Sequence, residues 1–350
     1  MIDYAKIRLK GRRYKHYRAQ LRTHPALQWR PPIHHLDHPP QHCIAVADWG
    51  AWVFYADHNE VLEFRGSFHK SFHGGTNWQD FTQAQYCEEI QRITDHFNFP
   101  PEAMYFLNLE VGVNLRLPIP TKAVIESIML HRRKRPVPMS EGHGIIIRHL
   151  GHYLFKVYDK ALQYGLPYEL VRFEIHVDRM EPIKRLKIHN AADLLDVQKW
   201  LLLEKFLQKK LKALLIVEPY HTASLRKQQI ELLDSTRTVE SWLGMNDKQR
   251  CKKRQKVERL LRTHGKYDVR GRLENGIRLK VHELIITRGE GSTLCAGIPV
   301  SIITPSLPHS VGNRLTPVKL YNKGITKVEL SKRVEKTRWK PDDRPVLSRQ

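Results

Sequence analysis

The sequence predicts an α+β fold: an antiparallel sheet with helices on one face, catalytic residues on the other, and a basic helical C-terminal region. Three observations carry this. Alternating apolar and polar runs recur through the middle of the chain, helical spacings separate them, and cations gather towards both ends.

The first strands are Trp52 to Ala56 and Val61 to His69, joined by Asp57-His58-Asn59-Glu60, a hairpin loop composition. In the second, Leu62, Phe64 and Phe68 share one face, and Glu63, Arg65, Ser67 and His69 the other. Gly74-Gly75-Thr76-Asn77 then turns the chain. Tyr86, Ile90, Ile93 and Phe97 follow at helical spacing, closed by Pro100-Pro101. Phe106 to Leu117 alternates most cleanly: Leu107, Leu109, Val111, Val113, Leu115 and Leu117 against Asn108, Glu110, Gly112, Asn114 and Arg116. Thr121 can cap a helix carrying Val124, Ile125, Ile128 and Met129. Strands are expected at 144–149, 152–158 and 170–177, then a helix capped by Asn190 and running towards Val217. Asn246 can cap a further helix over 247–263, ending at His264-Gly265, with a short helix through Val239 and Trp242 before it.

Composition narrows the function. The 350 residues are 41% hydrophobic, enough for a sizeable core. No run of 18 apolar residues occurs, and the most apolar stretch, Trp200 to Val217, is interrupted by Glu204, Lys205, Lys209, Lys210 and Lys212. No signal-peptide pattern opens the chain, so a cytoplasmic protein with no membrane partner is expected. Cys43, Cys87, Cys251 and Cys295 lie far apart with no C-x-x-C pair, which argues against a disulfide framework or zinc ribbon. The formal net charge is +23, made up of +7 over residues 1–40, +9 over 241–288 and +7 over 312–350. Such an excess is relieved by a polyanion, and nucleic acid is the obvious one. The expected organisation is a basic N-terminal segment 1–43, a catalytic core 44–235, a basic helical DNA-binding region 236–290 and a basic tail 291–350. Ile33 to Pro40, rich in His and Pro, reads as a linker.

Three strands pair an apolar face with a polar, partly acidic one. Glu110 comes from the first. Lys156, Tyr158 and Lys160 come from the second, and Arg172, Glu174 and His176 from the third. The short link from Lys160 to Glu169 makes the last two a hairpin, so their polar faces share one side. Carboxylates on a rigid sheet can hold a hard divalent cation, a tyrosine hydroxyl can attack a phosphodiester, and Lys or Arg can stabilise the crowded oxygens. The competing reading is a set of solvated cross-strand ion pairs. Eight cations lie on the helix over 247–263: Lys248, Arg250, Lys252, Lys253, Arg254, Lys256, Arg259 and Arg262. Only Asp247 and Glu258 oppose them, which favours phosphate contact over a solvated charged helix. The histidines at 34, 35, 38 and 42 read as part of a solvated linker and His69 and His73 as polar residues near a turn. Trp49 and Trp52 read as core aromatics, with base stacking as the other possibility.

The run Phe155-Lys156-Val157-Tyr158-Asp159-Lys160, followed by Leu170-Val171-Arg172-Phe173-Glu174-Ile175, resembles the "iYdK…RfE" signature of rolling-circle replication initiators. The groups concerned are the filamentous-phage gene II replication proteins and plasmid initiators of the Rep_trans type. Met1-Ile2-Asp3 and Asn108 to Asn114 look like the corresponding early segments. Gly66-Ser67-Phe68-His69-Lys70 with Asn77-Trp78-Gln79-Asp80-Phe81 is similar to the "GSLHK…N–DF" block of bacterial phage and plasmid replication proteins. The resemblance covers roughly residues 44–200.

It implies a site-specific nickase and strand transferase that opens a replication origin with a tyrosine and a divalent metal. Tyr158 is then the nucleophile, with Tyr164 and Tyr168 close enough to serve instead. Mg²⁺ or Mn²⁺ would be held by Glu110 and Glu174, with Asp159 a further ligand. Lys156, Lys160 and Arg172 would contact the scissile phosphate. Partners would be double-stranded origin DNA, its single-stranded nick region, and a host helicase and polymerase. The sequence has no His-x-His metal motif, which points to acidic ligands. Phage relatives tend to have Asp where this chain has Glu110. The alternative is a non-catalytic DNA-binding replication initiator or regulator on the same sheet.

Overall fold

The computed structural model describes residues 1–10, 14–140, 142–149 and 151–286. The chain divides into two units, Met1–Pro32 with Pro39–Cys295, and Ile33–His38 with Ala296–Gln350. Of the second, only residues around the short helix α2 (His34–Asp37) are described. The tail expected over 291–350 lies outside the described residues.

The first unit is α+β, built on a nine-stranded antiparallel sheet among the described residues. Its strands are β1 (Ile2–Leu9), β2 (Ala45–Trp49), β3 (Trp52–Ala56), β4 (Val61–Ser67), β5 (Met104–Leu115), β7 (Val137–Pro138), β8 (Gly144–His149), β9 (Tyr153–Asp159) and β10 (Val171–Val177). They lie in the order β2-β3-β4-β1-β5-β10-β9-β8-β7. A two-stranded ribbon, β6 (Ile128–His131) with β11 (Leu214–Ile216), stands apart.

Strand alternation explains which side is which. On β5, Leu109, Val111, Val113 and Leu115 are buried on one face, and on β10, Val171, Phe173, Ile175 and Val177 join them. The register slips by one residue between Lys6 opposite Asn108 and Ile7 opposite Phe106. This bulge puts Met104 and Phe106, rather than Leu107, on the core face. Helices α4 (Gln83–Phe97), α8 (Val197–Lys212) and α12 (Val269–Ile286) share that core through Tyr86, Ile90, Trp200, Leu207, Leu273, Ile277 and Val281. Thr82 caps α4 in a reciprocal bond with Gln85, and Asp196 caps α8. The cap expected at Asn190 belongs instead to a short 3-10 turn, Ala192–Leu195. Helix α1 (Lys15–Arg22) packs Leu21 into the core, α3 (Phe68–Phe72) follows β4 directly, and α5 (Thr121–Glu126) and α7 (Glu181–Lys184) are short connectors. Thr121 is the first residue of α5, one place past its cap, Pro120.

Two expectations need correction. The segment 1–43 is not an arm outside the core, because β1 sits between β4 and β5 in the middle of the sheet with Ile2, Ala5 and Ile7 fully buried. The two cations of β1, Lys6 and Arg8, lie on the opposite face, where both meet the buried Glu63, at 2.9 and 3.5 Å. Past the His- and Pro-rich stretch 33–40 the sheet resumes with β2 at Ala45, and Arg30 before that stretch bridges Val46. The region 236–290 is not a separate module. Its second half is α12, whose apolar stripe of Val269, Leu273, Ile277, Val281 and Leu284 belongs to the main core. Helices α9 (Lys227–Asp234), α10 (Glu240–Leu243) and α11 (Asp247–His264) pack around a satellite core of Leu233, Trp242, Val257 and Leu261, which they share with Leu130, Leu215 and Val217 at the β6–β11 ribbon.

Candidate active site

The polar face of β1, β5, β9 and β10 gathers the charged residues. Antiparallel register sets Arg172 beside both Asn114 and Tyr158, and Glu174 beside Gly112 and Lys156. His176 lies opposite Glu110. Between Ile2 and Ala5 the pairing of β1 with β5 slips again, and the extra residue turns Asp3 onto the polar face. Asp3, Glu110 and Glu174 thus offer carboxylate oxygens within 4.8 Å of one another. Glu110 and Glu174 are the two expected from the sequence. Asp3 is the one missed.

Asp159 is not in this group. Its carboxylate accepts from the Leu162 amide at 2.8 Å and caps α6 (Lys160–Tyr164), pointing away from the polar face. Lys160 is the first residue of that helix rather than the end of a strand. It turns back, so that its Nζ reaches Asn77 Oδ1 at 2.6 Å and the Tyr158 hydroxyl at 3.3 Å.

The cluster is closed rather than laid open on the sheet. Asp3, Glu110, Tyr158, Lys160, Arg172 and Glu174 are between 1% and 7% exposed. The cover is the loop around Asn77, expected only as a turn. Asn77 donates to Asp3 at 2.6 Å and accepts from Lys160 and from Tyr164 at 2.7 Å. Asn114 holds the same loop through the carbonyls of Trp78 and Gln79, both at 3.1 Å.

Charges buried this deeply must be paired. Arg172 donates to Glu174 at 3.0 Å, to Asp3 at 3.0 Å and to Asn114 at 3.1 Å. Lys156 lies 2.5 Å from Glu110 and 2.7 Å from Glu174. Burial alone would raise the Glu174 carboxyl, but Lys156 and Arg172 hold it well below the ordinary range. Burial and the neighbouring Glu174 charge push Glu110 upward against Lys156, with His176 3.4 Å away. Burial lifts the Tyr158 hydroxyl well above the usual phenol value. Burial and the Arg172 charge bring Lys160 down to about 7.

Chemically the donor set fits a hard divalent cation. Three carboxylates face two full cations, and their spacing approaches the ~4 Å between opposite oxygens on a small octahedral ion. The Lys156 ammonium occupies the space between Glu110 and Glu174, so an incoming ion competes with it. The other tyrosines stand differently. Tyr164 is bound to Asn77, and Tyr168 lies under Arg116 at 3.8 Å. Trp52 is core, donating to Ser71 at 3.1 Å, and Trp49 stacks on His96 at 4.8 Å. His69 is buried on α3 beside Phe81, and His73 meets the Asp80 carbonyl at 3.0 Å.

Two glycines make room for the cluster. A Cβ on Gly112 would come within 2.7 Å of the Phe173 carbonyl and 3.0 Å of Glu174. One on Gly144, opposite Tyr158, would collide with that residue's own Cβ. Gly112→Ala should therefore destabilise the protein by about 1–3 kcal/mol, read as a lower urea midpoint at unchanged slope. An unchanged midpoint would mean that β5 and β10 are not this closely apposed.

The eight cations of α11 separate into two sets. Arg250 donates to the Trp242 and Met245 carbonyls at 3.1 and 2.6 Å, and Arg254 to the Lys212 and Leu214 carbonyls at 2.5 and 3.0 Å. Lys253 lies over the Trp242 ring at 5.1 Å. These three pin the helix. Lys248, Lys252, Lys256, Arg259 and Arg262 are exposed and, at spacings of three and four, form one stripe. Asn246 and Gln249 form the cap that the sequence places there.

No helix among the described residues is long and apolar enough to cross a membrane. No family model matches the sequence, and no curated protein matches it either. The structure of a rolling circle replication initiator protein from Geobacillus stearothermophilus aligns with 67% of this chain and 95% of its own, at a TM-score of 0.35 and 10% identity.

Proposed function

We propose that this chain is a replication initiator that binds an origin and nicks one DNA strand through Tyr158 in a metal-dependent reaction. The observation that carries the reading is the Tyr158 hydroxyl 3.3 Å from a lysine amine lowered to about 7, beside three carboxylates. A phenol raised by burial needs a base, and an amine that is partly neutral near pH 7 is one. Neutral Lys160 takes the Tyr158 proton as the phenolic oxygen attacks phosphorus. The bond from phosphorus to the 3′ oxygen breaks, that oxygen takes up a proton, and the 5′ phosphate stays on the tyrosine. The free 3′ hydroxyl then primes a host polymerase, and a host helicase would open the duplex ahead of it.

Asp3, Glu110 and Glu174 would hold Mg²⁺ or Mn²⁺. When bound, the ion polarises the phosphoryl oxygens. Arg172 keeps Asp3 and Glu174 oriented, and Lys156 balances the carboxylates until the ion enters. A strand reaches Tyr158 only when the Asn77 loop lifts. The exposed stripe on α11 would track the phosphates of the duplex, and the order of the sequence motifs supports the same reading.

The burial of Tyr158 favours a second reading, a DNA-binding initiator or regulator without chemistry. One experiment separates them. Supercoiled DNA carrying the cognate replication origin is incubated with protein and Mn²⁺, and the products are run on a denaturing gel. Metal-dependent nicking with covalently bound protein is expected, lost on chelation. Binding with no nick under any metal leaves the second reading in place.

A further inference from the structure

A second cluster of titratable groups lies on the other face of the sheet. Tyr153 points the same way as Phe155 and Val157, away from Lys156 and Tyr158, and His149 pairs with it from β8. His131, at the end of β6 and fully buried, stacks on Phe155 at 5.6 Å. Its Nδ1 lies 2.7 Å from His149 Nε2, so one ring donates to the other. From α8, Lys210 sets its ammonium 3.3 Å from the centre of the Tyr153 ring. Arg132 follows His131 and is anchored by its amide to the Ala213 carbonyl at 3.4 Å.

Every charge in this group is positive. Arg132, Lys134, Lys209 and Lys210 all act on it, and no carboxylate appears among the groups that do. Among the described residues the buried or half-buried Arg172, Lys156, Arg65 and Arg270 each meet an acid, and the buried Lys160 meets Asn77 and Tyr158. Lys210 has no acidic partner among the described residues, and burial with the nearby Arg132 and Lys209 lowers its ammonium to about 8. The Tyr153 hydroxyl is buried and hydrogen-bonds to no described group. Unopposed cations repel one another, and an unused hydroxyl costs free energy. A single anion between them relieves both.

We propose that Lys210, Arg132, His149 and the Tyr153 hydroxyl form a phosphate-binding pocket, separate from the carboxylate cluster and on the opposite face of the sheet. A tetrahedral oxyanion takes charge-assisted bonds from the lysine and the guanidinium and a neutral one from the phenol. A metal ion suits this place poorly, because its charged surroundings are cationic and no carboxylate is among them. The pocket stands whether or not the protein nicks DNA. The strand end that carries Arg132 is also tied to the basic helix, since Arg133 pairs with Asp247 at 2.8 Å.

The test follows the ring protons of His149 and His131 by NMR as inorganic phosphate replaces chloride at constant ionic strength, using the full chain. Saturable shifts are expected for both rings, weakened about tenfold or more in Lys210→Met and largely restored in Lys210→Arg. Shifts that never saturate, or that survive Lys210→Met unchanged, would overturn the pocket. A second arm adds a short duplex to the phosphate-loaded protein. Displacement of phosphate with retention of the His149 shift assigns the pocket to a backbone phosphate. Phosphate that stays bound assigns it to a free phosphate or phosphomonoester, and either outcome keeps the site.

Discussion

Tyr158→Phe is expected to abolish nicking and the covalent adduct while leaving the fold and duplex binding intact. The substitution removes one oxygen whose protein partner is Lys160 at 3.3 Å, so the stability cost should stay near or below about 1 kcal/mol. Lys160→Met should act on the same step in a different way. It keeps the length of a side chain that is 1% exposed but removes the proton acceptor, and a lost general base lowers the rate by about 10²–10⁴-fold. The pH profile tells the two roles apart. Lys160 is brought to about 7 by burial and Arg172, with Asp3 and Glu174 opposing, and only its neutral form accepts a proton. Nicking by the unmodified protein should rise as pH rises through about 7 and then level off. In Lys160→Met that rise should disappear, leaving a low rate. If Tyr158→Phe still forms the adduct and Tyr164→Phe does not, the nucleophile is Tyr164, which also faces Lys160 across Asn77. The general-base assignment would then pass to that pair.

How much of this could be read from the residues depends on how local each interaction is. The alternation in Lys156–Tyr158 and in Arg172–Glu174 is enough to put four side chains on one face, because a strand's period is two and the hairpin between them is short. Glu110 joins them for the same reason, on the longest strand. Asp3 could not be found that way. Its strand lies among cations that read as an extension, and its facing depends on a bulge against β5, a pairing across about a hundred residues. Asp159 carried a readable warning: an Asp followed by a helical Leu162 is a capping position, and a capping carboxylate is already spent. The burial of the site was invisible, because it depends on Asn77 reaching Lys160 and Tyr164, 83 and 87 residues away. The stripe of α12 was present in the sequence at helical spacing, but Gly271 and Gly276 lower its helix propensity and Arg and Lys between the apolar positions disguise it as part of a basic arm.

Separating the chemistry from duplex binding requires mutants that leave the fold standing, and the geometry chooses them. Glu174→Gln would strand Arg172 and Lys156 as buried charges lacking their main acceptor, at a cost of about 3–5 kcal/mol. Glu110 is the better target. Burial and Glu174 already push its carboxyl towards the neutral form, and an amide has nearly the same shape. Glu110→Gln should fold, bind duplex with unchanged affinity and salt slope, and lose about 10²-fold or more in cleavage of both duplex and single-stranded origin DNA, as a ligand to the ion is gone. On α11, Lys253 and Arg254 hold the helix in place, so the informative set is Lys248, Lys252, Lys256 and Arg259 changed together to Ala. That variant should bind duplex more weakly and with a flatter salt dependence, by about 0.9 in the log–log slope for each phosphate that is no longer neutralised. A short single-stranded origin oligonucleotide in excess should still be cut at the normal rate, because Asp3, Glu110, Glu174 and Tyr158 take no support from the exposed side of α11. The decisive comparison is single-strand cleavage in the two variants. If the stripe variant loses as much of it as Glu110→Gln does, the basic helix closes over the carboxylate face during the reaction, and the two act as one surface.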